Sequence, residues 1–176
     1  IRDRDGKFAS KVFNAKDGQL QSDNVQFVLQ DSARRVWIGT DKGLYCWKDN
    51  VLQCADKSHS FQRACSFKGK TCFITVDGEI RTADKEGRLS LAAKLPDVSY
   101  GLDLPGNLAV GSQWVIFTSE GSFVFDTESN MLKPSPSEWN IPGGEVSVDN
   151  RGNYWVHNKT GKLYYIRSET GAVKVS

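Results

Sequence analysis

Apolar and β-branched residues come in short runs along this chain, with Gly, Asp, Asn, Lys and Ser standing between them. Runs of that length bounded by turn formers predict β-strands. Four fall close together at 25–29, 36–40, 44–47 and 51–54, with turns at 32–34, 41–43 and 49–50. The pattern returns at 64–67, 71–75, 80–83 and 89–92, then at 107–110, 114–118, 123–125 and 131–132, and finally at 145–148, 154–156, 163–166 and 172–175. No segment sustains a capped helical period over several turns. The second run of each group is apolar at successive positions, as in Val36, Trp37 and Ile38, or Trp114, Val115, Ile116 and Phe117. A strand with one wet face alternates, so these strands are expected in sheets covered on both sides.

A repeated frame spaces the groups. Asp31, Trp37, Ile38, Thr40 and Gly43 recur at the same intervals as Asp149, Trp155, Val156, Asn158 and Gly161. The two tryptophans are 118 positions apart, which divides into three steps of about 40, the period of a four-stranded propeller blade. Phe73 is expected to take the place of Trp37 in the second group, and Val115 or its neighbour Trp114 in the third, giving steps of 36, 42 and 40. The fold class is therefore all-β, one β-propeller segment over 1–176 with about four four-stranded antiparallel blades. The expected units are 25–54, 62–92, 107–132 and 145–175, with 1–13 ending a preceding blade. Asp31 and Asp149 stand before turns, where their carboxylates can accept from turn amides. The Gly after each second strand suits a tight turn with positive φ. Longer connections at 14–24, 55–61, 94–106 and 133–144 join the units on one face of a propeller, where a binding surface would be built.

Composition changes this picture little. With 39% hydrophobic and 25% charged residues, the chain has the balance of a globular domain. Its 23 basic and 21 acidic residues are scattered, so it lacks the basic footprint of a nucleic-acid binder. No apolar run approaches the ~20 residues of a membrane span, and the N-terminus lacks signal-peptide order, so the segment is expected to be soluble. It opens on Ile1 without a methionine and is read as a piece of a longer protein.

Chemistry-bearing residues are sparse. Cys46, Cys54, Cys65 and Cys72 lack the spacing of zinc knuckles. A two-residue turn at Lys68 and Gly69 would set Cys65 opposite Cys72, where a disulfide is conceivable. Two buried free thiols are the preferred reading, because the pair falls at a hydrogen-bonded site; the pairing of four cysteines stays open. His59 in a loop and His157 in a strand have no partner at metal-ligand spacing and read as surface or turn residues. Asp3, Asp5 and Gly6 resemble part of a calcium loop, but the third acid and distant Glu are missing, so a plain turn is preferred. Asn158 and Thr160 fit a glycosylation acceptor, and equally the strand-to-turn place of Thr40. Trp139 and Tyr100 are the aromatics most able to stack on a sugar, although Trp139 plugging a neighbouring blade is preferred. No nucleophile elbow or phosphate loop occurs. No catalytic, cofactor or metal residue is assigned, and ligand-binding residues are left unknown.

The run Gly18, Leu20, Ser22, Asp23, Asn24 and Val25, then Asp31, then Trp37, Ile38, Gly39, Thr40, Gly43 and Leu44, resembles the two-component regulator propeller repeat. That repeat reads Gly-Leu-Pro-Ser-Asn-Asn-Val, then Asp, then Trp-Ile-Gly-Thr, two residues and Gly-Leu. Residues 18–47 carry the match, and 148–166 resemble a degenerate copy. The resemblance implies a periplasmic sensor region of a hybrid two-component system of the gut-bacterial, Bacteroides-type, polysaccharide-utilising kind. The expected function is non-catalytic ligand sensing, with an oligosaccharide as partner, neighbouring blades or a second chain as protein partners, and no cofactor. The histidine kinase of such a system would lie outside the segment. Two alternatives stand beside it. One is an enzyme propeller, a polysaccharide lyase or a quinone-dependent dehydrogenase, since 126–129 and 168–171 resemble the Asp-x-x-Thr-Gly of quinoprotein blades. The other is a structural dimerisation module.

Overall fold

The computed structural model describes residues 10–67, 69–96, 108–110, 112–118, 121–137, 144–158, 160–170 and 173–175. It forms four antiparallel four-stranded sheets, each from strands consecutive in the chain. The first holds β1 (Val25–Gln30), β2 (Val36–Thr40), β3 (Gly43–Lys48) and β4 (Val51–Asp56). The second holds β5 (Phe61–Phe67), β6 (Lys70–Thr75), β7 (Glu79–Ala83) and β8 (Leu89–Lys94). The third holds β9 (Leu108–Val110), β10 (Gln113–Thr118), β11 (Gly121–Asp126) and β12 (Met131–Pro134). The fourth holds β13 (Gly144–Val148), β14 (Tyr154–Asn158), β15 (Leu163–Ile166) and β16 (Val173–Val175).

Local chemistry explains the turns. Asp49 and Asn50 both have positive φ, 48° and 64°, the geometry of a two-residue hairpin that follows strand twist. Gly43 opens β3 at φ 143°, and a Cβ there would stand 2.7 Å from the carbonyl oxygen of Asp56. Gly39, between Ile38 and Thr40, has a different reason: a Cβ would strike the Phe27 ring at 2.2 Å, so the missing side chain seats that ring. Asp31 Oδ1 accepts from the amides of Ala33 (2.9 Å) and Arg35 (3.0 Å), and Asp149 Oδ1 does the same for Arg151 (2.9 Å) and Asn153 (2.9 Å). The two aspartates therefore hold their turns as the sequence suggests.

Apolar clusters join the sheets in chain order. Trp37, Leu44 and Phe27 of the first sheet meet Phe61, Phe73 and Ala83 of the second. The Trp37 and Phe73 rings lie 4.9 Å apart, edge to face. Cys65, Cys72, Ile74 and Ile80 of the second meet Trp114, Ile116 and Phe125 of the third, and Val115, Phe117 and Val124 of the third meet Tyr154, Val156 and Ile166 of the fourth. The far side of the first sheet, at Ile38 and Tyr45, is covered by Leu20 and Phe13 of the segment before β1. Tyr45 also receives the Gln21 amide on its hydroxyl at 2.7 Å.

These faces correct two expectations. Phe73 does not occupy the place of Trp37. It points back toward the first sheet, as Ile38 points away from the second, while Cys72 faces onward as Trp37 does. Aligning the strand ends at Thr40, Thr75, Thr118 and Asn158 puts Trp37, Cys72, Val115 and Trp155 in one register, in steps of 35, 43 and 40. Of the two choices in the third sheet, Val115 faces onward and Trp114 faces back. The second correction concerns Phe61, expected at the end of a connection. It begins β5 and is fully buried against Phe73. A bulge between Phe61 and Arg63 hid its strand character.

Asp31 supplies a polar tie beside the first interface. Its Oδ2 accepts from Trp37 Nε1 at 2.8 Å and Arg35 Nε at 2.7 Å, with the Arg35 and Asp31 side chains only 7% and 1% exposed. Arg35 Nη1 crosses to the second sheet, donating to the carbonyls of Asp84 (2.8 Å) and Lys85 (3.1 Å). One sheet on, Lys70 Nζ donates to the carbonyl of Thr127 and to Asn130 Oδ1 (2.9 Å).

Burial pushes the Asp31 carboxyl up, but the hydrogen bonds from Trp37 and Arg35 outweigh it and hold it below its ordinary range. A depressed carboxylate contributes stability that is present above its unfolded pKa of about 3.9 and is lost as pH falls through the folded value. Asp31→Ala is expected to cost about 3–5 kcal/mol in urea unfolding, because it leaves a buried guanidinium unpaired. Asp31→Asn should also flatten the acid limb of the stability profile below about pH 4. An Asp31→Ala loss no larger than that of Asp149→Ala would contradict this account.

Candidate functional site

Two polar regions stand at opposite ends of the strands of the first two sheets. The first lies at the end carrying the inter-sheet connections, where 57–60 links β4 to β5. Asp56 organises it. Its Oδ1 accepts from the Ser58 amide (2.8 Å), the Ser58 hydroxyl (3.0 Å) and the His59 amide (3.1 Å), and its Oδ2 meets His59 Nδ1 at 2.9 Å. Burial acts to raise the Asp56 carboxyl, yet these bonds, led by the Ser58 amide, bring it below its ordinary value. Across from it, Arg81 on β7 pairs with Glu79 Oε2 through Nη2 at 2.7 Å, and the same Nη2 lies 3.2 Å from His59 Nε2. With Nδ1 donating to Asp56, Nε2 accepts from Arg81, so both ring nitrogens are engaged. The group braces the connection against the second sheet and leaves His59 no free lone pair for proton abstraction.

The second region is a cavity of about 410 Å³ at the other end, lined by Ser32, Ala33, Arg35, Gly69, Ala83, Asp84 and Lys85. It is formed by the β1–β2 turn of the first sheet and the β5–β6 and β7–β8 turns of the second. The Asp84 carboxylate is held by Arg88, which donates its amide and Nε at 2.8 Å each. Sequence reasoning left Arg35 between the turn at 32–34 and the strand at 36–40, and missed its reach to the second sheet. No local pattern signals a bond between residues 49 positions apart.

The remaining candidates fall as follows. His157 is an exposed residue of β14 opposite Glu145. Asn158 closes β14 opposite Gly144. Asp126, part of the quinoprotein-like run, caps a turn by accepting from the amides of Glu128 (3.0 Å) and Ser129 (2.9 Å). Asp3, Asp5, Gly6, Lys68, Tyr100 and Trp139 lie outside the described residues. Cys65 and Cys72 are directly paired across β5 and β6 and are unbridged. Burial, and then the neighbouring Cys72, push the Cys65 thiol well above its ordinary value.

No family model matches the chain, and no curated protein matches it. Solved structures do. One is virginiamycin B lyase from Staphylococcus aureus, at TM-score 0.66 and 15% identity, covering 99% of this chain and 60% of that one. Another is the extracellular domain of the hybrid two-component system BT4673 from B. thetaiotaomicron, at TM-score 0.58 and 17% identity, covering 86% and 21%. The fold is a β-propeller. The four sheets are blades, and their Trp37 register is the blade-to-blade packing position. PorZ, a surface component of the type-IX secretion system of Porphyromonas gingivalis, matches at TM-score 0.56 and 13% identity, covering 87% of this chain and 22% of that one. The propeller segment thus spans about a fifth of the BT4673 and PorZ chains. Identities this low speak for the shared fold.

In the native propeller, a thiol reagent should modify exposed Cys54 first, while Cys65 and Cys72 react only on unfolding, as quantified by mass spectrometry. Two thiols unreactive even in denaturant and recovered by reductant would show a bridge instead.

Proposed function

We propose that this propeller is a non-catalytic, extracytoplasmic ligand-sensing segment of a hybrid two-component signalling protein, and that its ligand is an oligosaccharide. The observation that carries the reading is the frame Trp37, Ile38, Gly39, Thr40, Gly43 and Leu44 set on a blade. It matches the regulator propeller repeat, and the likeness to the BT4673 extracellular domain, which covers 86% of this chain, supports it. The frame residues build the blade and are buried, so they are not the ligand contacts. Variable turns and connections at the blade ends are left for recognition. Association with a further sheet or a second chain belongs to the same reading, because Trp155, the register mate of Trp37, is 40% exposed on the fourth blade.

A lyase is the second reading, favoured by the TM-score of 0.66 to virginiamycin B lyase. The committed nitrogens of His59 weigh against that histidine as its base.

Isothermal titration of the protein against a panel of plant and host oligosaccharides is expected to give saturable binding with no turnover of the bound glycan. Silence across the panel overturns the saccharide assignment, and release of cleaved product with an unsaturated end would establish the lyase reading instead.

A further inference from the structure

The cavity between the first two blades has, among the described residues, more hydrogen-bond donors than its own acids use. Arg35 is 5% exposed and cannot swing away, since Nε is held by Asp31 and Nη1 by two carbonyls of the second blade. Among the described residues nothing accepts from its Nη2, so the guanidinium is fixed in place with the two N–H groups of Nη2 unused. Lys85 and Ser32, both exposed at the cavity wall, likewise spend neither the ammonium nor the hydroxyl among the described residues. Each acid nearby is paired with an arginine: Asp31 with Arg35, and Asp84 and Glu86 with Arg88, so Asp84 lines the cavity as a paired carboxylate. Among the described residues, what remains is the Nη2 of Arg35, whose charge Asp31 already pairs, the Lys85 ammonium and the Ser32 hydroxyl, around about 410 Å³, a volume within the range of small-ligand sites. Among the described residues the apolar lining consists of Ala33 and Ala83, so polar groups are the source of affinity they offer.

We propose that this cavity is an oxyanion site, and that the ligand it fits is a carboxylated sugar unit, a uronate. The carboxylate takes charge-assisted hydrogen bonds from Arg35 and Lys85, and Ser32 bonds a ring hydroxyl. The preorganised guanidinium lowers the ordering cost of binding. Preference for a sugar acid rests on the saccharide reading above, whereas the anion chemistry rests on the cavity alone.

The test is titration of the whole chain at constant ionic strength with galacturonate, galactose and inorganic sulfate, followed by calorimetry or by amide shifts. Galacturonate is expected to bind saturably and galactose not at all. Lys85→Glu should weaken galacturonate by at least about tenfold through loss of a charge-assisted bond, with Ser32→Ala weakening it less. Both residues are exposed, so unfolding midpoints should stay at the parent value, which separates lost binding from lost fold. Sulfate binding that depends on Lys85 without any galacturonate binding supports the oxyanion site and overturns the sugar assignment. Binding of none of the three, equal binding of galactose and galacturonate, or binding indifferent to Lys85→Glu overturns the site.

Discussion

A four-stranded sheet with two apolar faces is stable only between neighbours, and this constraint governs the whole chain. Val36–Thr40 could not stand as a wet-faced strand, because Trp37 and Ile38 point to opposite sides and both are buried. The chain answers by stacking sheets in sequence, so that each onward face meets the backward face of the next. Leu20 and Phe13, from the segment before β1, pack on the first face at Ile38 and Tyr45. At the fourth blade Trp155 rests on Tyr165, rings 4.7 Å apart, and keeps 40% of its surface exposed. The same residue type in the same frame is fully covered at Trp37, so packing, and not residue chemistry, sets its burial.

Polar groups then fix how the stacked sheets meet at their ends. Arg35 and Lys70 each leave their own sheet to satisfy carbonyls in a turn of the next. Such bonds orient blades that dispersion alone would let slide, since apolar packing is non-directional. They also border what lies between the turns: Arg35 lines the cavity there while its guanidinium bonds across to the second sheet. At the opposite end, Asp56, His59, Glu79 and Arg81 make a closed brace. At this end His59 and Arg81 are committed to the brace, whereas at the other Arg35 keeps its Nη2 unused among the described residues.

The architecture was legible in the sequence, and the faces were not. Turn residues such as Asp31, Asn50 and Gly43 have local causes, and so do the strand runs they bound. Phe73 was misplaced because alternation disappears when both faces are apolar; size and aromaticity then make it resemble Trp37 more than Cys72 does. The polar residue ending each second strand, Thr40, Thr75, Thr118 and Asn158, carried the correct phase and was the signal to use. Phe61 escaped because a bulge breaks its period. Arg35 was beyond reach for another reason, since a bond to Asp84 is a property of two turns brought together only by the packed fold. The match of Trp37 to Leu44 with a sensor repeat pointed to a kind of protein without pointing to any contact residue, because buried frame residues serve the blade.

The central claim, that burial between sheets and not hydrogen bonding within them sets stability along the chain, is tested most directly by native-state hydrogen exchange resolved by strand. Strands β6 and β10, covered on both faces, should exchange slowest and near the global unfolding free energy, while β14 and β15, with one face open at Trp155 and Tyr165, should exchange markedly faster. Equal protection of all four central strands would contradict the account.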